Sequence, residues 1–368
     1  MTATNDEIAI VDGFAEVRET LAALPPAFGP TAFQHCSWLD CWLACAGSGV
    51  ERVIAVVARS AGDGRARLVL PLVLDARGAL PFWTSFDFGV SDYNLPLIAT
   101  DFRPTPREAA ALWHRIVAAL PSGAAYLLID KMPAMVGGRP TPFADLAGTR
   151  RSQVVRHPLP LDGDFESLRA TRFAPSMVHS LARKRRKLGR KGDLAFHAGN
   201  GPEARVALDR LMTWRDERYG AQPETTCFYR RLTEAGDPAR VLWLTLDGAP
   251  IAACFGIGDA DGFRLLALGH DARFNNWSPG LLIVEDAIAW AVGEGFREFD
   301  FTIGAEPYKF DFGVEPEPMT LLAEAFDAQG AAVLRLQLAR NYVAARLRRY
   351  LDSHRHGGGH HRRVADAA

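Results

Sequence analysis

The sequence has almost no net charge: 42 lysines and arginines meet 43 aspartates and glutamates, a formal −1. Nothing global draws such a chain to nucleic acid, and no nucleic-acid partner is expected. No apolar run approaches the ~20 residues of a membrane span. The start, MTATNDEIAIVDGF, is acidic where a secretory leader would be basic and then apolar, so no leader is expected. Cysteine is scarce: Cys36, Cys41, Cys45, Cys227 and Cys254, an odd number with no C-x-x-C pair. These absences predict a reduced, cytoplasmic protein. Cys41 and Cys45, four apart on an expected helix, read as small buried hydrophobes.

Missing motifs narrow the chemistry. There is no G-x-S-x-G elbow, so a serine hydrolase is not expected. There is no P-loop and no H-E-x-x-H. Gly256-x-Gly258 follows a strand but runs into a turn, so it is not a dinucleotide fingerprint. No metal is expected either. His354, His356, His360 and His361 are interrupted by Gly357 to Gly359, and the stretch 353–368 reads as a disordered tail.

What is present is enough apolar residue, 48% of 368, for two cores. The second half reads as an amphipathic helix over 203–219 and strands over 241–246 and 251–257 joined by Asp247-Gly248. A strand over 263–269, a helix over 279–292 and a strand over 298–303 follow. The first half has a similar order: a helix over 37–47, strands over 52–59 and 67–74, a loop and short strand through 91–98, a helix over 106–119 and a strand over 125–130. This is a weak internal duplication. The expected fold is α/β: two tandem units, 1–160 and 161–330, each a mixed, largely antiparallel twisted sheet flanked by helices. A basic amphipathic helix over 331–352 follows, with Leu334, Leu338, Tyr342 and Ala345 on one side, able to pack on the body or reach a membrane surface.

The densest chemistry lies between 264 and 313. Ser278-Pro279-Gly280 has an N-cap residue, a proline suited to the first helical position and a glycine that admits a ligand to the backbone. The amides of Gly280, Leu281 and Leu282 would then form an anion site suited to pyrophosphate. One strand later comes Asp300-Phe301-x-x-Gly304-x-Glu306-x-Tyr308-Lys309. An anion site followed by a titratable cluster on the next strand is a layout for acyl-CoA-dependent transfer. Alternation puts Asp300 and Thr302 on one face of that strand, opposite Phe299 and Phe301.

On these residues, with Asp271 and the basic run before Gly192, the chain resembles the GNAT superfamily of acyltransferases. Within it, the chain is similar to the bacterial CelD/BcsL-like branch associated with cellulose biosynthesis, a branch related to Fem-type peptidoglycan aminoacyltransferases. The likeness covers roughly 165–325. It implies two tandem GNAT-like units and acetyl-CoA or another acyl-CoA as cosubstrate. It also implies an amine acceptor such as a small molecule, a sugar-amine or an amino acid. The two central strands would splay, and backbone N–H groups over 263–269, around Leu268, would hold the thioester beside the cradle of Ser278, Gly280, Leu281 and Leu282. Asp300 would be the base or else a structural hydrogen-bond partner of a neighbouring loop, with Glu306 either a second acid or a solvated loop residue. Tyr308 would protonate the thiolate, and Lys309 would steer a carboxylate or phosphate. The usual Gln/Arg-x-x-Gly-x-Gly/Ala loop is absent, and Pro279 removes one amide from the cradle.

The first unit has no Ser-Pro-Gly, so Ser91, Asp92 and Tyr93 are expected either to face the acceptor or to be turn residues. The run 183–191, RKRRKLGRK, reads first as a solvated helix face and second as a phosphate clamp; no aromatics interleave with it. Three functions stay open: acyl-CoA-dependent N-acyl transfer, Fem-like transfer from aminoacyl-tRNA, and a non-catalytic acyl-CoA-binding module.

Overall fold

The computed structural model describes residues 6–355, apart from 26–27, 29–30, 47–49, 88, 137, 237, 261 and 305. The first unit opens with β1 (Glu7–Asp12), α1 (Phe14–Ala22) and α2 (Cys36–Ala46). A meander follows, β2 (Val50–Arg59), β3 (Ala66–Asp75) and β4 (Phe82–Thr84), with β5 (Leu97–Ile98) laid on β3. Helix α3 (Pro106–Ala119) starts at a capping box of Thr105 and Glu108. It crosses over to β6 (Tyr126–Pro133), which pairs parallel with β4. Val53–Ala58 and Leu68–Leu74 are apolar runs with both faces covered, so they read as near-continuous hydrophobic strands rather than alternating ones.

After the small hairpin β7 (Met135–Val136) and β8 (Arg139–Pro140), the chain enters β9 (Arg150–Arg156) and β10 (Pro158–Pro160). The second unit comprises α4 (Phe165–Arg172), α5 (Pro175–Gly189), β11 (Leu194–Gly199), α6 (Pro202–Tyr219), α7 (Pro223–Ala235), β12 (Ala239–Leu246), β13 (Ala249–Gly258), β14 (Gly262–His270), α8 (Pro279–Gly293) and β15 (Glu298–Asp300). Its plan repeats the first: an antiparallel meander β12-β13-β14, a crossover helix, and a strand, β15, parallel to the last of the meander. The duplication expected from element order is therefore present. Short α9 (Tyr308–Asp311), β16 (Glu317–Ala325) and long α10 (Ala328–Arg355) complete the chain. Residues 353–355 thus end a helix, and the rest of the expected tail lies outside the described residues.

The sheets run β1-β2-β3-β4-β6-β16-β9 and β10-β15-β14-β13-β12-β11. Two strands cross between them. β10 pairs with β15 although it precedes residue 161, and β16 returns from the second half to lie between β6 and β9. The units are thus stitched at β9–β10 and β15–β16. A covalent link adds to this: Cys45 of α2 and Cys227 of α7 form a disulfide across 182 residues. The fully reduced state expected from sequence is corrected here. Those two helices pack on each other, a proximity that no spacing reveals. No helix is long and apolar enough to cross a membrane among the described residues.

Candidate active site

Parallel pairing of β14 with β15 covers Gly262–Arg264 and Glu298–Asp300, and then the strands part. β15 ends there, three residues earlier than the sequence suggests, because Thr302 takes a left-handed backbone, φ 54°. That conformation is costly for a β-branched residue and persists only where its surroundings hold it. Here the Thr302 N–H donates to Asp300 Oδ1 (2.8 Å), its hydroxyl lies 3.1 Å from Leu265 O, and its carbonyl accepts from the His157 N–H (3.1 Å). The wholly buried His157 ring also places Nδ1 3.1 Å from that carbonyl; burial, then Lys309, lower its pKa. Lys309 Nζ gathers the carbonyls of Phe301, Ile303 and Gly304 at 2.9–3.0 Å and pairs with Glu306 at 2.9 Å. It consumes the groups that would otherwise have extended the ladder. Among the described residues the β14 edge from Leu266 to His270 has no strand partner on that side, about 17 Å of backbone. Lys309 is buried, which corrects its expected role as a steering cation.

Asp300 is also corrected. It is wholly buried. Tyr93 donates its hydroxyl to Oδ2, and that oxygen lies 3.7 Å from Arg264 and 4.0 Å from Arg156. Both arginines sit over the Tyr93 ring, at 5.6 and 5.9 Å. Arg264 further pairs with Asp259 and Glu298 (both 3.2 Å), and Arg156 with Glu298 (2.6 Å). Arg156 Nε is 3.0 Å from Glu317 of β16 without the alignment of a hydrogen bond. Four acids surround two arginines, so burial and then Asp300 raise the Glu298 carboxyl pKa. The face of β15 that alternation would leave open is covered by the first unit. Burial and the Asp300 charge also push Tyr93 well up, and the wholly enclosed phenol keeps its proton. Ser91 is likewise internal: its hydroxyl donates to Phe86 O (2.6 Å) and accepts from Trp38 Nε1 (3.0 Å). Ser91 and Tyr93 are thus corrected from acceptor contacts to packing.

Asp92, between them, differs. It is only partly covered, and its carboxyl lies within electrostatic reach of Lys131 and Thr302. Burial pushes its carboxyl up to about 6; Lys131 and Thr302 pull it down, and Asp87 and Asp300 add to the rise. Lys131 Nζ is held by Asp87 Oδ1 and Ser91 O, both at 2.8 Å. Burial opposes its charge, but Asp87 and Asp92 outweigh that and raise its pKa. Lys131 also has a left-handed backbone, φ 61°. Tyr229 of α7 lies within electrostatic reach of both Asp92 and Arg215. Arg215 Nε and Thr226 Oγ1 are buried without a hydrogen-bond partner among the described residues. Tyr308 is half-buried; burial and then Glu306 raise its pKa well above the usual phenol range, with Cys254 contributing. The Tyr308 ring packs on the second core, 6.1 Å between centroids from Phe301.

At the far end of the open β14 edge is the start of α8. Ser278 has φ 48° and makes no side-chain cap. Its hydroxyl accepts instead from Lys184 Nζ of α5 (2.5 Å), and its carbonyl takes the N–H groups of both Leu281 and Leu282. The expected three-amide cradle is corrected to one amide, Gly280, with a lysine added. A β-carbon on Gly280 would meet His270 Nδ1 at 2.9 Å, so this glycine lets the end of β14 reach the helix. α5 is not simply a solvated face: Arg185 pairs with Asp286 (2.7 Å) and Glu285 (3.2 Å), and Lys191 lies 5.0 Å over the Trp277 ring. Cavities of about 480 Å³ (lined by Val11, Leu24 and Phe28) and about 260 Å³ (lined by Arg67, Asp101 and Arg103) lie in the first unit and include none of these residues. No cluster of three or more His, Cys, Asp or Glu is placed to hold a metal among the described residues.

Splayed parallel strands with a helix N-terminus at the end of the open edge agree with the family comparison. Residues 175–310 match the acetyltransferase (GNAT) domain. No curated protein sequence matches significantly. Among solved structures, FemX superposes with a TM-score of 0.59 at 13% identity, over 89% of this chain and 99% of that one. A conserved protein of unknown function from Bacteroides thetaiotaomicron VPI-5482 does so with 0.55 at 13% identity, over 87% and 100%. Both likenesses span the two units and the GNAT domain together, and at these identities they speak for the fold.

Sequence reasoning did not single out Thr302, Lys131 or Tyr229 as site residues, and it carried Lys184 only within the basic run, whose second reading was a phosphate clamp. Two signals were available: Lys184 stands in the basic run, and Arg264 interrupts an apolar strand, the mark of a buried ion pair.

Proposed function

We propose that the protein transfers an acyl group, acetyl in the simplest case, from CoA to an amine. What supports this reading is one arrangement: an unpaired strand edge with an anion cradle at one end and a half-buried carboxyl at the other. An acyl-CoA is phosphorylated at one end, carries two amides along an extended arm, and ends in a thioester. The arm would lie along Leu266–His270 as an added strand does. Lys184 and the Gly280 amide would take the pyrophosphate. N–H groups of β14 would polarise the thioester carbonyl. Asp92 would take the proton that an ammonium acceptor must lose, and Tyr308, kept protonated by burial, would return one to the departing thiolate. The unpartnered Arg215 Nε and Thr226 Oγ1 suit an acceptor that carries an anionic group. The CelD/BcsL-like pattern adds a sugar-amine or amino acid as acceptor class and an exopolysaccharide link.

Calorimetry with acetyl-CoA tests the donor. The wild type should bind, and Lys184→Glu should weaken binding at least about tenfold, ~1.4 kcal/mol, with a salt-dependent difference. A change within about twofold would return α5 to a solvated face. A helical-hairpin arm, the feature that would favour an aminoacyl-tRNA donor, is absent among the described residues: α6 and α7 both pack on the second sheet.

A further inference from the structure

Helix α10 is anchored at its base and exposed over 339–344. Gly330 approaches Ala125 so closely that a β-carbon would sit 2.0 Å from the Ala125 carbonyl oxygen. Leu334 is buried against Tyr126 and Leu321, and Tyr126 donates its hydroxyl to Gln337 Oε1 at 2.6 Å. The Leu334–Leu338 side expected to be apolar is therefore spent on the body. From Ala339 to Ala344 every residue is exposed, so the helix leaves the surface, and the span 339–355 is about 25 Å long.

On the opposite side lies a second apolar stripe. Leu336, Val343 and Leu347 follow at intervals of seven and four, one face of a helix, and are 64%, 63% and 55% exposed. Arg335, Arg340 and Arg346 flank it, all exposed and with no ion pair among the described residues. Over 328–355 there are six arginines and one aspartate in a chain whose net charge is −1. Positive charge is concentrated on this helix, and the rest of the chain holds 36 basic against 42 acidic residues. A second copy laid along the stripe would bring arginine against arginine, whereas an anionic lipid surface neutralises the arginines and receives the aliphatic side chains.

We infer that the outward face of α10 docks the protein on anionic membrane surfaces, with Leu336, Val343 and Leu347 inserted at the headgroup boundary and Arg335, Arg340 and Arg346 on lipid phosphates. The test is co-sedimentation of the full chain with vesicles of phosphatidylcholine containing phosphatidylglycerol, against phosphatidylcholine alone. The wild type should partition onto the anionic vesicles. The triple variant Leu336→Ser, Val343→Ser, Leu347→Ser and the triple variant Arg335→Gln, Arg340→Gln, Arg346→Gln should each lose about tenfold or more in partitioning. Unchanged thermal unfolding confirms that both remain folded, as substitutions at exposed sites should allow. Three results would overturn the inference: no partitioning at low salt, partitioning that the serine variant leaves unchanged, or a dimer in light scattering that the serine variant dissolves without any vesicle binding.

Discussion

Two carboxylates stand near the strand divergence, and their surroundings divide their work. Asp300 is enclosed by Tyr93, Arg156 and Arg264, which need its charge. Asp300→Asn leaves the buried guanidinium of Arg264 short of a counter-charge and should lower stability by about 3–5 kcal/mol, read by chemical denaturation. Asp92 is partly open and titrates near 6. As a base it acts when ionised, so turnover should rise with pH through about 6, and Asp92→Asn should remove that limb with a ~10²–10⁴ loss of rate and donor affinity intact. Stability runs the other way. The folded chain keeps a proton on Asp92 that the unfolded chain sheds near 4, so this group's contribution falls as pH rises from about 4 to 6. Denaturation profiles of Asp92→Asn should lack that fall. Full activity in Asp92→Asn would remove Asp92 from the chemistry.

Among the described residues four non-glycine residues have positive φ: Thr302 and Ser278 stand at the two ends of the open edge, Lys131 lies within β6 beside Ser91, and Asp247 is in an ordinary hairpin turn. Two of these strained positions, Thr302 and Ser278, thus frame the open edge. The junction of β14 with α8 depends on Gly280. Gly280→Ala places a methyl against His270, whose Nε2 is held 2.7 Å from Asn275 Oδ1. It should cost about 1–3 kcal/mol as local overpacking and weaken acetyl-CoA binding. His270→Ala in the same chain should restore stability. If the double variant is no more stable than Gly280→Ala alone, the His270 contact is not what the glycine serves.

Between the two units the chain is joined by strand exchange, by the Tyr93–Asp300 network and by the Cys45–Cys227 bond. A disulfide closing so long a loop removes much unfolded-state entropy, about 5 kcal/mol in the chain-entropy account. Cys45→Ser, or reduction before denaturation, should lower unfolding free energy by about 3–5 kcal/mol while leaving far-ultraviolet circular dichroism unchanged, since α2 and α7 still pack. Equal stability with and without reductant would show that the bond adds nothing.

What the sequence alone determined was local. The periodicity of 203–219, the turn at Asp247-Gly248, the helix over 106–119 and the Pro279 helix start each rest on contacts within a few residues, and all appear where expected. The repeated order of elements also showed, because each unit buries its own core. Decisions between distant parts did not. β16 fills a place in the first sheet, Cys45 finds Cys227, and the first unit covers the face of β15 that alternation would have left open to a substrate. Asp300 and Asp92 are the same side chain in the sequence. Only the packing of one unit on the other enclosed the first between two arginines and left the second partly open beside Thr302. An acid's role depends on its solvation and its charged neighbours, and both are properties of the tertiary structure.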